Sequence, residues 1–118
     1  MTTVNTLTEY QRRAAETAIY PGADDIESVD GLAYVTMGLV GEAGEIANKV
    51  KKILRDDGGV ITASARLRLV FELGDVLWYL AQTATQLGID LDSIAGMNIA
   101  KLASRSERGT LQGSGDAR

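Results

Sequence analysis

Two stretches of this chain, from about Gly31 to Arg55 and from Thr62 or Ser64 to about Leu87, combine an apolar helical stripe with two acids three residues apart. In the first, Val35, Leu39, Ile46, Val50 and Ile53 recur at the helical period. Glu42 and Glu45 lie on the neighbouring stripe with Gly38, Lys49 and Lys52. In the second, Leu69, Leu73, Val76, Leu77, Leu80 and Ala84 form the band, beside a polar strip of Arg68, Glu72, Asp75, Tyr79, Gln82 and Gln86. Residues three apart share a helix face. The turn signal Asp56-Asp57-Gly58-Gly59 makes the connection short, so the two helices pack antiparallel and their acids meet. Four facing carboxylates repel unless cations lie between them. The pattern predicts a magnesium site, with manganese as a substitute, and through it a phosphate-bearing substrate.

What is missing narrows the chemistry. The sequence has no histidine and no cysteine. Ser-His-Asp triads, His-ligated zinc, disulfides and cysteine nucleophiles are therefore excluded, and hard oxygen ligands remain. A diiron bundle needs Glu-x-x-His elements that this chain lacks. Sixteen acids against twelve bases give a formal charge of −4, and the cations form no continuous face, which argues against a nucleic-acid polymer as partner. The start, Met1-Thr2-Thr3-Val4-Asn5, is polar and no long apolar span follows, so neither a signal peptide nor a membrane segment is expected, and the expected location is cytoplasmic.

At 118 residues and 45% apolar content the chain suits one all-α domain. Thr6-Leu7-Thr8-Glu9 reads as a capping box opening a first helix that runs to about Tyr20 and stops before Pro21. Asp30 is the expected cap of the second helix, and Asp90 of a fourth that reaches Arg105 or Glu107. Asn98, Lys101 and Arg105 share a face of that fourth helix. Gly38, Gly41 and Gly44 suggest close approach of another helix or a ligand. Apolar residues spread around the third helix, with Leu67, Phe71 and Trp78 beyond its main band, and this predicts a partner subunit. Trp78 itself is expected in the core or at an interface. Residues 1–108 form the predicted catalytic domain, and residues 109–118 a tail ordered by ligand or interface.

The run Gly41-Glu42-Ala43-Gly44-Glu45-Ile46-Ala47, then Glu72-Leu73-Gly74-Asp75-Val76-Leu77-Trp78-Tyr79-Leu80, resembles the E-x-x-E and E-x-x-D signature of MazG-type nucleoside triphosphate pyrophosphohydrolases. Asn98-Ile99-Ala100-Lys101-Leu102 is similar to the motif on that family's last core helix. The resemblance implies a four-helix bundle-like core of the all-alpha NTP pyrophosphatase type, assembled as a homotetramer or homodimer. It implies magnesium-dependent cleavage of an NTP or dNTP to nucleoside monophosphate and pyrophosphate, with Glu42, Glu45, Glu72 and Asp75 as metal ligands. Candidate substrate contacts are Asn98, Lys101, Arg105, Lys52, Tyr79 and Gln11. For Lys52 and Arg105 the alternative is charge balance. Rival readings are a dUTPase-like or noncanonical-nucleotide housecleaning hydrolase, and a non-enzymatic helical oligomerisation module with a structural cation.

Overall fold

The computed structural model describes residues 2–117 and is all-α among them. Four helices follow in order: α1 (Leu7–Ala15), α2 (Val29–Asp56), α3 (Ala63–Gln86) and α4 (Leu91–Glu107). No helix among the described residues is long and apolar enough to cross a membrane.

The helix ends follow from local hydrogen bonding. At α1 the Thr6 Oγ1 accepts the Glu9 N–H at 2.9 Å, and Glu9 reaches back to the Asn5 N–H at 2.9 Å. The helix stops at Ala15 instead of continuing to Tyr20. The N–H groups of Glu16, Thr17 and Ala18 each bond a carbonyl three residues back, a tighter winding. There the Thr17 hydroxyl donates to the Ala14 carbonyl at 2.7 Å and accepts the Trp78 indole N–H at 2.8 Å, so a tertiary contact takes hold where helix was expected.

Ser28, not Asp30, caps α2, its Oγ accepting the Gly31 N–H at 3.0 Å. Asp30 falls in the first turn, where its charge still complements the helix dipole. Thr62 caps α3 through the Ala65 N–H. Asp90 has the extended N-cap backbone but makes no side-chain bond. Its expected work passes to α1: the Gln11 Oε1 accepts the Leu91 N–H at 2.8 Å, and Thr8 and Asp92 exchange bonds at 3.3 Å.

The α2–α3 pair is the long seam of the fold. Gly31 meets Gln86, Gly38 meets Tyr79, and Lys49 meets Glu72, so positions rise along one helix as they fall along the other. That is the expected antiparallel pairing. A Cβ at Gly38 would overlap the Tyr79 ring, which makes this glycine a notch for an aromatic side chain. Gly41 and Gly44, also expected at close approaches, have nothing within 4 Å. Helix α1 lies on α3, and α4 on α1. Between them Ala81, Ala84 and Leu91 are buried, with Tyr10, Ile89 and Ile94 packed around.

The expected apolar stripes are only partly covered. Val35 and Ile53 are buried, yet Val40, Phe71 and Leu73 are 72%, 66% and 56% exposed. The radius of gyration is 17.1 Å, whereas a compact chain of this length has one of about 13–14 Å. The chain is thus an open arrangement, with much apolar surface left uncovered by its own helices.

The two kinds of glycine predict opposite outcomes. Gly38→Ala should lower stability by about 1–3 kcal/mol, because the Tyr79 ring must move. Gly44→Ala should meet no clash and gain up to about 1 kcal/mol in helix propensity. Urea unfolding followed by circular dichroism checks both.

Candidate functional site

The acids converge on the seam. Glu42 comes from α2, and Glu72 and Asp75 from α3; each offers a carboxylate oxygen, all within 4.8 Å of one another. Glu42 and Glu72 are half-buried and Asp75 is exposed. The Lys49 ammonium stands 3.0 Å from a Glu72 oxygen and neutralises part of the cluster. Glu45 lies outside this trio and is exposed, although its charge still acts on Glu42.

The Glu42 carboxyl is held above its ordinary pKa. Burial is the largest cause, followed by the charges of Asp75 and Glu72, a hydrogen bond with Glu72, and the charge of Glu45. Oxygen-only donors this close, with one pushed toward its protonated form by its neighbours, suit a hard divalent cation.

A recess of about 400 Å³ opens beside the trio, lined by Thr17, Glu42, Asp75, Trp78 and Tyr79. Its wall is aromatic. Trp78 and Tyr79 meet edge-on at 5.0 Å, Tyr79 tilts against Tyr34 at 6.5 Å, and Tyr34 stacks on Tyr20 at 5.1 Å. Burial raises the Tyr79 phenol, and the Tyr34 charge and a hydrogen bond with Tyr34 add to this, then Glu42 and Asp75. Burial and then Asp75 likewise raise Tyr10. Tyr79 thus stands beside the acids, as its place on the polar strip implied. Trp78, expected in a core or interface, is half-buried and faces this recess. Tyr34 and Thr17 complete this wall, Thr17 from the segment that follows α1. For Tyr34 the sequence carries a signal: it lies four residues before Gly38 and eight before Glu42, on the same α2 face.

The remaining candidate contacts lie elsewhere in the chain. Lys52 lines a smaller hollow at the turn end of the seam with Lys49 and Arg68. Asn98 and Lys101 are exposed and border an apolar recess with Leu87, Ile89, Ile94 and Met97. Arg105 is buried at 4% exposure beneath the tail, donating to the Asp116 carbonyl at 3.0 Å, with the Asp116 carboxylate 3.8 Å away. The Gln11 amide is occupied by Thr85, the Ile89 carbonyl and the Leu91 N–H, which gives it a structural task joining α1 to the α3–α4 turn.

Residues 32–110 match the family model described as the MazG nucleotide pyrophosphohydrolase domain. The chain belongs to that family. The match takes in all four acids and the α4 motif, and ends three residues after α4. The Gene 37 protein of Mycobacterium phage L5 is 63% identical over 109 residues, covering 92% of this chain and 96% of that one. No solved structure matches. Membership in the MazG family makes the chain a nucleotide-directed hydrolase by kinship, and the acidic trio is its candidate metal centre.

The single tryptophan provides an optical reporter of this recess. Magnesium titration should change Trp78 emission saturably, and the change should be lost in Glu42→Gln. A fluorescence titration of both proteins measures it, and an identical response in the variant would separate the signal from the trio.

Proposed function

We propose that this chain hydrolyses nucleoside triphosphates, ribo- or deoxyribo-, between the α and β phosphates, releasing nucleoside monophosphate and pyrophosphate. The observation that carries the reading is the convergence of Glu42, Glu72 and Asp75 across the α2–α3 seam in a chain of the MazG family. These three are the residues that would hold magnesium, or manganese in its place. When bound, the cation polarises phosphoryl oxygens, neutralises developing charge and lowers the pKa of coordinated water.

The chain's own residues supply the rest. Glu45, outside the trio but close enough to act electrostatically on Glu42, takes the proton of the attacking water. The water oxygen bonds to the α phosphorus as the bond from that phosphorus to the bridging oxygen breaks. The electron pair departs with pyrophosphate. Tyr79, seated against the Gly38 notch and tilted against Tyr34, offers with Trp78 an aromatic wall for the nucleoside.

Asn98 and Lys101 reach a substrate from a second copy of the chain. In this reading the protein is a homotetramer or homodimer, and exposed Val40, Phe71 and Leu73 are covered by another protomer. Arg105 serves the tail and Gln11 the helix junction, so neither is assigned to substrate here.

A screen of NTPs and dNTPs, with products resolved by phosphorus NMR, tests the reaction. Monophosphate and pyrophosphate should appear with magnesium or manganese, vanish on chelation and return with added metal. Glu42→Gln and Asp75→Asn should each lose about 100-fold or more in kcat while keeping helicity. Inorganic phosphate as the first product would mean a different bond is cut. Magnesium binding with no turnover of any nucleotide would leave a helical oligomerisation module with a structural cation.

A further inference from the structure

Beyond the acids, the seam carries a second built feature. Toward the α2–α3 turn, Lys49, Lys52 and Arg68 surround a hollow of about 110 Å³, with Ile53, Ala65, Leu69 and Asp57 completing its wall. Three cations and one carboxylate line it, in a chain whose formal charge is −4, with Glu72 beside Lys49 and the Asp56 carboxylate within electrostatic reach of Lys52. The two helices contribute independently. Lys49 and Lys52 continue the Glu42–Glu45 face of α2, and Arg68 lies one turn before Glu72 on α3. Among the described residues neither Lys52 nor Arg68 reaches a carboxylate within ion-pair distance. Arg68 is steadied instead by the Ser64 hydroxyl at 2.6 Å. Lys49 joins the hollow to the trio through its contact with Glu72.

The order along the seam has a direction. The aromatic wall of Tyr34 and Tyr79 comes first, the carboxylate trio next, and the cationic hollow last. Lys49 is seven residues past Glu42, about 10 Å along the helix. A nucleoside triphosphate has the same succession: an aromatic base, the phosphate under attack, and a highly anionic terminal pair.

We infer that the Lys49–Lys52–Arg68 hollow is the subsite for the β and γ phosphates, and so for the pyrophosphate that leaves. Arg68, assigned no role above, is its planar donor, able to take two phosphoryl oxygens at once. Lys49 and Lys52 are point charges on the opposite wall. Cations fixed where the leaving group gains charge stabilise the transition state as well as the product. The inference rests on the pyrophosphohydrolase reading and gives it a polarity: the base lies toward Gly38 and the terminal phosphates toward the Asp57 turn.

Calorimetric titration of inorganic pyrophosphate into the full-length protein with magnesium tests it without turnover. The comparison is wild type, Lys52→Gln/Arg68→Gln, the charge-conserving Lys52→Arg/Arg68→Lys, and Arg66→Gln as a control on the same helix but outside the hollow. The glutamine pair should weaken pyrophosphate binding at least about tenfold. Nucleoside monophosphate affinity should not change, the charge-conserving pair should restore most of the loss, and Arg66→Gln should have no effect. Wild-type pyrophosphate affinity in the glutamine pair overturns the inference. So does an equal loss in Arg66→Gln, or an equal loss for monophosphate, since either makes the effect one of general charge. If hydrolysis proceeds and pyrophosphate inhibits the glutamine pair as it does wild type, the subsite falls and the reaction stands. If no nucleotide is cleaved but pyrophosphate binding follows the hollow, the reaction falls and the anion site stands.

Discussion

Mutual repulsion among Glu42, Glu72 and Asp75 is the constraint around which the molecule is arranged. Two like charges about 5 Å apart cost about 1 kcal/mol even in a water-like surrounding, and more as water is withdrawn. The fold accepts this on its longest seam, and among the described residues the Lys49 ammonium gives direct relief. Ser28 and Thr62 cap the starts of the two helices, and the Tyr20 hydroxyl and the Asp25 carbonyl hold Gln86 at the end of α3. A cation held between the carboxylates would relieve this repulsion.

Much of this was legible in the amino-acid order. Helical periodicity located α2 and α3, and the three-residue spacing of acids identified the faces that meet. The legible part is what depends on one helix at a time. The misses are tertiary. Thr17 leaves the helical ladder because it holds an indole from another helix, and no local propensity reports that. Asp90 has ideal cap chemistry, yet Gln11 does the capping from a segment eighty residues away in sequence. Gly38, Gly41 and Gly44 look alike in a sequence, but only Gly38 faces a ring in the protomer.

The candidate site divides the same way. Glu42, Glu72, Asp75 and Tyr79 were readable because they repeat along faces already fixed by apolar stripes. Glu45 obeys the same spacing but is exposed and lies outside the trio, a difference that spacing does not encode. Arg105 shares a face with Asn98 and Lys101, and only the path of the tail explains why it is buried while they are exposed.

The Gly38 notch has a further consequence, one of alignment. Helices slide past one another in steps of about one turn, 5.4 Å. That step exceeds the 4.8 Å that encloses the trio's oxygens, so a slip of one turn would deprive a cation of its shared ligands. A flat aliphatic seam would tolerate such sliding. A ring seated in the gap of a missing side chain does not, because only glycine at that position admits it. Gly38 and Tyr79 register the two helices in the setting that brings the acids together, with the Gly31–Gln86 contact as a second point of registry a few turns from the acids.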